Sequence, residues 1–562
     1  MFYRIKNSAF WPRNTLGTQT ETTVIPNRWR KILADRPFIA SIIFALTIFI
    51  FEEFRFDFPH TYYMLYLPRE PYIYFIGGMV SVVLSFLVLI LILWASFNSK
   101  AAYRLIFGAI FIFAILVQYN YKATFNRFIS IQDLNTAFNS PFSLWLDAAA
   151  LFFNWFGLFP IITYLLLMMW TWRHQYQGGK LLLAVILIIF GLNLGSYYVG
   201  YGASRATSVP AFLKTLSNVF VEDVEVQNLE RTLVTYQSET QPQNNIILIV
   251  DESIRGDRLS LNGYERSTTP YLEELAAQGY LINWGIAASA TTCSMLSNEF
   301  ILSGGTILPD LENRLKTNPT IFQYAKAMGY TTYHIDAQVD YLWTGITSAD
   351  LTYIDHRVTR QAFGDDYDVD LRVADFIYET LATSTGNFFL INKAGVHFHY
   401  NDTYPPDEAI WKPVSEVKAY TDPLTISNAY DNGLHYNLEQ FFRRLIKEKS
   451  ILESSIILYT GDHGQTLIEN NETWSHCGDS VNEASVPLFL ISGQEWSLDT
   501  DYRASHHNIF PTLLDLMGIP EEAKVTSYPL SLLTATAADS TDRYFLGGPP
   551  ENYTPDLINF DE

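Results

Sequence analysis

The sequence predicts a chain in two parts: an α-helical membrane domain of five spans over residues 1–200 and, past a polar connector at 201–240, an α/β domain over 241–562. Three observations carry this. Long apolar runs crowd the first 200 residues and do not recur after Val199. Beyond that point short apolar strands alternate with helical stretches. The mixture of 49% hydrophobic and 17% charged residues is too apolar for one soluble enzyme and too polar for a protein confined to a bilayer.

The runs lie at Pro37–Phe51, Tyr72–Phe97, Leu105–Tyr119, Leu144–Trp170 and Leu181–Val199. A helix crosses the apolar core of a bilayer with roughly 20 residues. The first and third runs are shorter, and they count as spans because charged residues bound them. Basic residues set the orientation, since cytoplasmic loops carry the excess of Lys and Arg. Arg4, Lys6, Arg13, Arg28, Arg30, Lys31 and Arg36 precede the first run. Lys100 and Arg104 lie between the second and third, and Arg173 and Lys180 between the fourth and fifth. The loop "FEEFRFDFPH" is acidic, as an outer loop can be. Five spans from a cytoplasmic N-terminus put everything after Val199 outside, which in a Gram-negative cell is the periplasm. A removable signal peptide is not expected, because no small-residue cleavage site follows the first run.

A formal net charge of -21 excludes a nucleic-acid partner, since no basic face could dominate. Two cysteines exclude a disulfide-rich scaffold and leave room for one bridge. No internal repeat is visible.

In the second part, "NIILIV", "TTYHID", "FFLIN", "SIILYT" and "VPLFLI" read as strands separated by helical stretches such as "TPYLEELAAQG" and "IFPTLLDLMGI". That alternation predicts a mostly parallel sheet covered on both faces. Chemistry in such sheets sits at the carboxyl ends of the strands. "NNIILIVDES" runs into Asp251 and Glu252, "SSIILYTGDHG" into Asp462 and His463, and "NFFLINKAGVHFHY" into His397 and His399. Any one of these taken alone reads equally well as a helix cap or turn former. Three such ends in one sheet, all rich in ligand types, point to zinc or a similar divalent ion. Gly464 lets the chain turn tightly, so that its neighbours can face one ion. His476 shares the loop after the "DHG" turn and reads as a site residue, whereas His506 and His507 read as caps or supporting groups.

The hydroxyl-rich stretch "SATTCSMLSNEFILSG" at 289–304 raises the question of a nucleophile, since Ser and Thr at a helix start are more often caps. The order of Glu252, "GYERSTTP", this stretch, "GVHFH", "GDHGQTLIEN" and His476 resembles the alkaline-phosphatase-like, sulfatase-related transferases. Within them it is similar to the membrane-anchored phosphoethanolamine transferases that modify lipid A or other envelope glycans. The resemblance implies an α/β/α alkaline-phosphatase-like catalytic domain behind five spans. It implies zinc held by Glu252, the nucleophile, Asp462 and His463, with His397 and His476 binding a second zinc or the substrate phosphate. Family nucleophiles follow an Asn-aromatic pair at a set distance and are themselves followed by two further hydroxyl positions. Counted from Asn283–Trp284 that register selects Ser294, then Ser297 and Ser303, with Gly304 next. Thr291 and Thr292 miss it, and Thr292 is the reserve candidate. Sulfatase chemistry fits worse, because "SMLSN" has neither the Pro nor the Arg of a sulfatase nucleophile motif.

Four departures accompany the resemblance. Serine stands where the transferases carry threonine, which is chemically sufficient beside a metal and a helix N-terminus. Asn392 replaces a further histidine of the family. The family's several disulfides cannot form; Cys293 and Cys477 each adjoin a proposed site residue, and free thiols are expected over a bridge between them. In the loop "NYKATFNRFISIQDLNTAFNSP", Asn135 matches a donor-lipid residue, while Ser143 stands where an acid belongs.

The implied reaction is a two-step transfer from a phospholipid donor, phosphatidylethanolamine, through a covalent serine intermediate to an envelope glycolipid or glycan. Phosphoglycerol transfer and plain phosphodiester hydrolysis are the alternatives on the same fold. A non-enzymatic envelope scaffold is disfavoured by the intact Glu, Asp-His and hydroxyl set.

Overall fold

A computed structural model describes residues 35–51, 86–125 except 88, 153–173, and 231–562 except 308–314, 316, 341, 343–344, 365, 415–421, 470–475 and 549–555. The chain divides into two compact units, one carrying the helices between residues 36 and 171 and one carrying the α/β fold.

In the first unit, α1 (Arg36–Ile48) opens with Pro37, a residue already set for a first helical turn. α2 (Ala101–Phe125) and α3 (Leu158–Thr171) follow. Among the described residues, the stretch Ala101–Lys122 of α2 is the one helix long and apolar enough to cross a membrane, with 22 residues at mean hydropathy 2.0. It contains the expected third run. The first run is helical but shorter, Arg36–Phe51. The fourth is not one continuous helix from Leu144. The chain at Asn154 is extended, its side chain accepts the Phe156 N–H, and helical turns follow from Trp155. A short polar side chain that bonds its own backbone competes with the helix ladder, which is why the run breaks there. Of the second run, residues 89–97 are helical and most of the rest lies outside the described residues, as does the whole fifth run.

The helix ends are sorted by chemistry. The Arg104 guanidinium is buried and donates to the Ser99 and Thr171 carbonyls, joining the start of α2 to the end of α3. Arg36, at the start of α1, lies over the Trp170 ring. At the other end Phe51 stacks on Phe159 with centroids 4.3 Å apart. Hence α3 runs antiparallel to α1 and α2, with Arg36 and Arg104 at one end of these helices and Lys122 in the last turn of α2 at the other. Leu105, Ile106, Ile162, Leu166 and Met169 are each more than half exposed. Such apolar faces suit lipid rather than water.

The second unit is built on a seven-stranded sheet: β1 (Asn245–Asp251), β2 (Leu281–Ala288), β3 (Thr331–Asp336), β4 (His356–Thr359), β5 (Asn387–Asn392), β6 (Ser455–Gly461) and β7 (Ser485–Ser492), in the order β2-β7-β6-β1-β5-β3-β4. β7 runs antiparallel to both neighbours and the other pairings are parallel. β1 is buried on both faces. Ile247 and Ile249 pack with Val373 and Ile377 of α6 (Val369–Leu381) and with Tyr430 of α7 (Pro423–Leu434). Ile246, Leu248 and Val250 pack on the other face against Phe322 of α5 (Ile321–Ala327) and Leu513 of α8 (Ile509–Met517). Each such side chain contributes about 1.5–3 kcal/mol of burial. A continuous apolar strand thus marks a two-sided core, as expected. The parallel registers align Asp251 with Gly461 and Val250 with Asn392, so the loops after β1, β5 and β6 leave from one edge. A hairpin of β8 (Tyr544–Gly547) and β9 (Asp556–Asn559) completes the unit.

Candidate active site

The loops that leave this edge are laced together by their own backbone. The Asp462 N–H donates to the Asp251 carbonyl at 2.8 Å, and the Val396 N–H to the Glu252 carbonyl at 3.0 Å. Glu252, Asp462 and His463 are buried, and one ligand atom from each lies within 4.8 Å of the others. His463 Nε2 is 3.6 Å from Glu252 Oε1 and 3.8 Å from Asp462 Oδ2. Two atoms bound at about 2.0–2.2 Å to one zinc lie no more than about 4.4 Å apart, so the spacing fits a shared ion.

The polar atoms around the cluster leave the same gap. His463 Nδ1 lies 2.6 Å from the Gly464 carbonyl and must donate to it, which frees the Nε2 lone pair to face the cluster. Asp462 Oδ1 accepts the N–H groups of Ser253 and His463. Asp462 Oδ2 is buried with no hydrogen-bond donor among the described residues. Burial and the Glu252 carboxylate hold the Asp462 carboxyl well above its usual range. Burial acts on Glu252 as well, but the His463 and His397 imidazoles draw it below the usual range. Two buried carboxylates that share a space call for a cation. The residues present fit a zinc-like ion.

Gly464 serves a different purpose from the one expected. Its φ is not left-handed; instead, a Cβ there would stand 2.2 Å from the Asn482 carbonyl oxygen. Close approach of two backbones, not a tight turn, requires glycine.

Ser294 is the first residue of α4 (Ser294–Ser303), where unpaired N–H groups and the helix dipole favour an anion. Its Oγ lies 2.9 Å from His463 Nε2 and 3.4 Å from Glu252 Oε2. The Thr292 hydroxyl instead donates to the Gly478 carbonyl, and that of Ser297 to the Asp462 carbonyl. α4 ends at Gly304, with φ +62 and the Phe510 ring 2.6 Å from where a Cβ would be. The structure therefore brings Glu252, Ser294, Asp462 and His463 together and leaves Thr292 aside.

His397 is exposed, and its ring lies 5.7 Å from that of His476, which in turn stacks on His463 at 4.9 Å. The three imidazoles form a row leading outward from the cluster. His506 is buried and supports the cluster from beneath, with Nε2 donating to the Gly461 carbonyl and Nδ1 accepting the Ala290 N–H. Burial pushes its imidazole down to about 3, so it is neutral. Asn392 donates to Asn298, whose own amide donates to the Ser294 carbonyl. Asn135 lies outside the described residues.

The expectation of free thiols fails. Cys293 and Cys477 form a disulfide, with Cα atoms 4.6 Å apart across a separation of 184 residues. Only the folded chain brings two cysteines so distant in sequence to bonding distance.

Other residues escaped the sequence reading. Lys393 is fully buried, donates to Asp251 Oδ2 at 2.5 Å and lies 3.7 Å from Asp370. Asp251, at the same strand end as Glu252, turns to this lysine and not to the cluster. The signal was present as a lysine directly after "FFLIN". Glu469, the acid of "LIEN", receives both Arg255 and Arg258.

Residues 244–519 match the sulfatase family. Against curated proteins, the chain is 26% identical over 275 residues to the Kdo(2)-lipid A phosphoethanolamine 7''-transferase of Escherichia coli (strain K12), covering 47% of this chain and 46% of that one. It is 24% identical over 312 residues to the phosphoethanolamine transferase EptC of Escherichia coli O18:K1:H7, covering 50% and 52%. The chain thus spans about half the length of the curated relatives it matches. Among solved structures, the integral membrane protein lipooligosaccharide phosphoethanolamine transferase A (EptA) of Neisseria meningitidis superposes with a TM-score of 0.57 at 17% identity, covering 86% of this chain and 98% of that one. The α/β domain here shares that protein's fold.

Proposed function

We propose that this chain is an inner-membrane phosphoethanolamine transferase whose sulfatase-family domain works in the periplasm, taking the group from phosphatidylethanolamine and passing it to an envelope glycolipid or glycan such as lipid A. The observation that carries the reading is the Ser294 hydroxyl, set at a helix N-terminus 2.9 Å from His463 and beside a buried ligand cluster. The similarity to lipid A phosphoethanolamine transferases supports the choice of head group.

Glu252, Asp462, His463 and the Ser294 oxygen would hold the ion. A bound zinc supplies a lowered serine pKa and neutralises phosphate charge. The Ser294 oxygen attacks the donor phosphorus; the new O–P bond forms as the bond to the diacylglycerol oxygen breaks, and that oxygen takes a proton. His476, stacked on His463, and the exposed His397 beside it are the groups that would bind the phosphate oxygens and deliver that proton. The N-terminus of α4 receives the phosphate charge. An acceptor hydroxyl or phosphate oxygen then attacks the same phosphorus, and Ser294 leaves with its proton restored. Both substrates are amphiphiles, which accounts for a membrane unit on the same chain.

Incubation with phosphatidylethanolamine should add phosphoethanolamine to the peptide holding residues 289–304 and release diacylglycerol. Ser294→Ala should abolish both, by several orders of magnitude in rate, while Thr292→Ala, which removes one hydrogen bond to the loop of His476, should cost no more than about tenfold. An inactive Thr292→Ala beside an active Ser294→Ala would show that the register is wrong. A phosphoglycerol adduct would keep the mechanism and change the head group. Free phosphoethanolamine accumulating despite an available acceptor, with no adduct, would make the protein a phosphodiesterase.

A further inference from the structure

We propose that the Cys293–Cys477 bridge is a positioning device that assembles the phosphate-binding side of the site, so that His476 faces Ser294 correctly only in the oxidised chain. The inference rests on the reading of Ser294 as nucleophile and His476 as phosphate ligand.

Cys293 is the residue directly before Ser294 and caps α4, while Cys477 directly follows His476. The bond therefore joins the immediate neighbours of the two groups that must meet across one phosphorus. Two hydrogen bonds run beside it: the Cys477 N–H donates to the Thr292 carbonyl, and the Thr292 hydroxyl to the Gly478 carbonyl, both at 2.8 Å. Thr292, the reserve nucleophile of the sequence, is thereby a strut for the histidine loop.

Cys477 has φ +60, a left-handed conformation that a residue with a side chain keeps only when its surroundings impose it. The imposed bend brings the His476 ring against His463 at 4.9 Å and toward His397 at 5.7 Å. His476 is carried by a loop, not by a strand or helix, so its position depends on such ties. The three carboxylate and imidazole ligands do not. Glu252, Asp462 and His463 are placed by β1 and β6, which the bridge does not touch. Opening the bridge should then uncouple His476 while leaving the metal in place.

A dithiol opens it by a balanced exchange: the S–S bond gains two electrons and two protons to become two thiols, and the reductant closes to its own disulfide. The test is a double-mutant cycle on the full chain in detergent, crossing His476→Ala with Cys293→Ala/Cys477→Ala. Donor turnover is read together with zinc content, and wild type treated with dithiothreitol serves as a second route to the open form. In the oxidised background His476→Ala should lower kcat/KM by at least about tenfold, and in the bridge-less background by less than about twofold, because the histidine is already displaced. Zinc content should be equal in all four proteins. An equal cost of His476→Ala in both backgrounds overturns the proposal and leaves the bridge a mere staple. Loss of zinc without the bridge overturns it as well. If phosphatidylethanolamine is not turned over at all, the functional reading fails separately. The same cycle is then run on inorganic phosphate binding to the zinc-loaded proteins, and additivity there overturns the positioning role.

Discussion

Lys393 Nζ and Asp251 Oδ2 are 2.5 Å apart with both side chains wholly excluded from solvent, and this pair underlies the loops that carry the site. Asp251 Oδ1 accepts the Glu252 N–H, and the Asp370 carboxylate accepts the N–H groups of Ala394 and Gly395 on the way to His397. One buried cation thus holds the carboxylates that shape two site loops.

Removing that cation strands two carboxylates in the core. Lys393→Met should destabilise the domain by about 3–5 kcal/mol, seen as an earlier urea transition. Adding Asp251→Asn should recover part of the loss by removing one unpaired charge. A single variant as stable as wild type would show that the pair is solvated in solution.

Metal content tests the ligand set. Elemental analysis should find a tightly held zinc in wild type, and Glu252→Ala or Asp462→Ala should each lose it, because each deletes one ligand from a four-coordinate site. Full zinc in both variants would make these carboxylates ordinary strand-end groups.

Stability should fall as pH falls below the ordinary histidine range, and His506 is one identifiable cause. Its folded pKa is lowered to about 3 by burial, against 6.5 for the free side chain. Below 6.5 the unfolded chain binds a proton that the folded chain refuses, so the stability present above 6.5 drains by about 1.4 kcal/mol per pH unit down to about 3. Unfolding followed from pH 7 to pH 5 should show a smaller slope for His506→Gln. An unchanged slope would mean that His506 titrates normally.

Topology is tested by reporters. A fusion after Glu562 and one near His60 should each be active only outside the cytoplasm, given the excess of Arg and Lys before the first apolar run. A cytoplasmic C-terminus would overturn the proposed compartment.

What the sequence determined by itself was whatever is written in local pattern. Apolar run length set the helical first unit apart. Continuous apolar strands such as "NIILIV" announced a sheet buried on both faces, and ligand-type residues at their ends located the cluster of Glu252, Asp462 and His463. The register that the family resemblance implies, counted from Asn283–Trp284, selects Ser294, whose hydroxyl lies beside that cluster. Tertiary structure decided what depends on residues far apart in the chain. It bonded Cys293 to Cys477, turned Asp251 away from the cluster toward Lys393, made Gly464 a point of contact with Asn482, and gave Thr292 to the histidine loop. The reason is physical: hydrophobic period and strand ends act through neighbours in sequence, whereas a disulfide, a buried ion pair or a close backbone approach depends on where separate loops arrive after the sheet has formed.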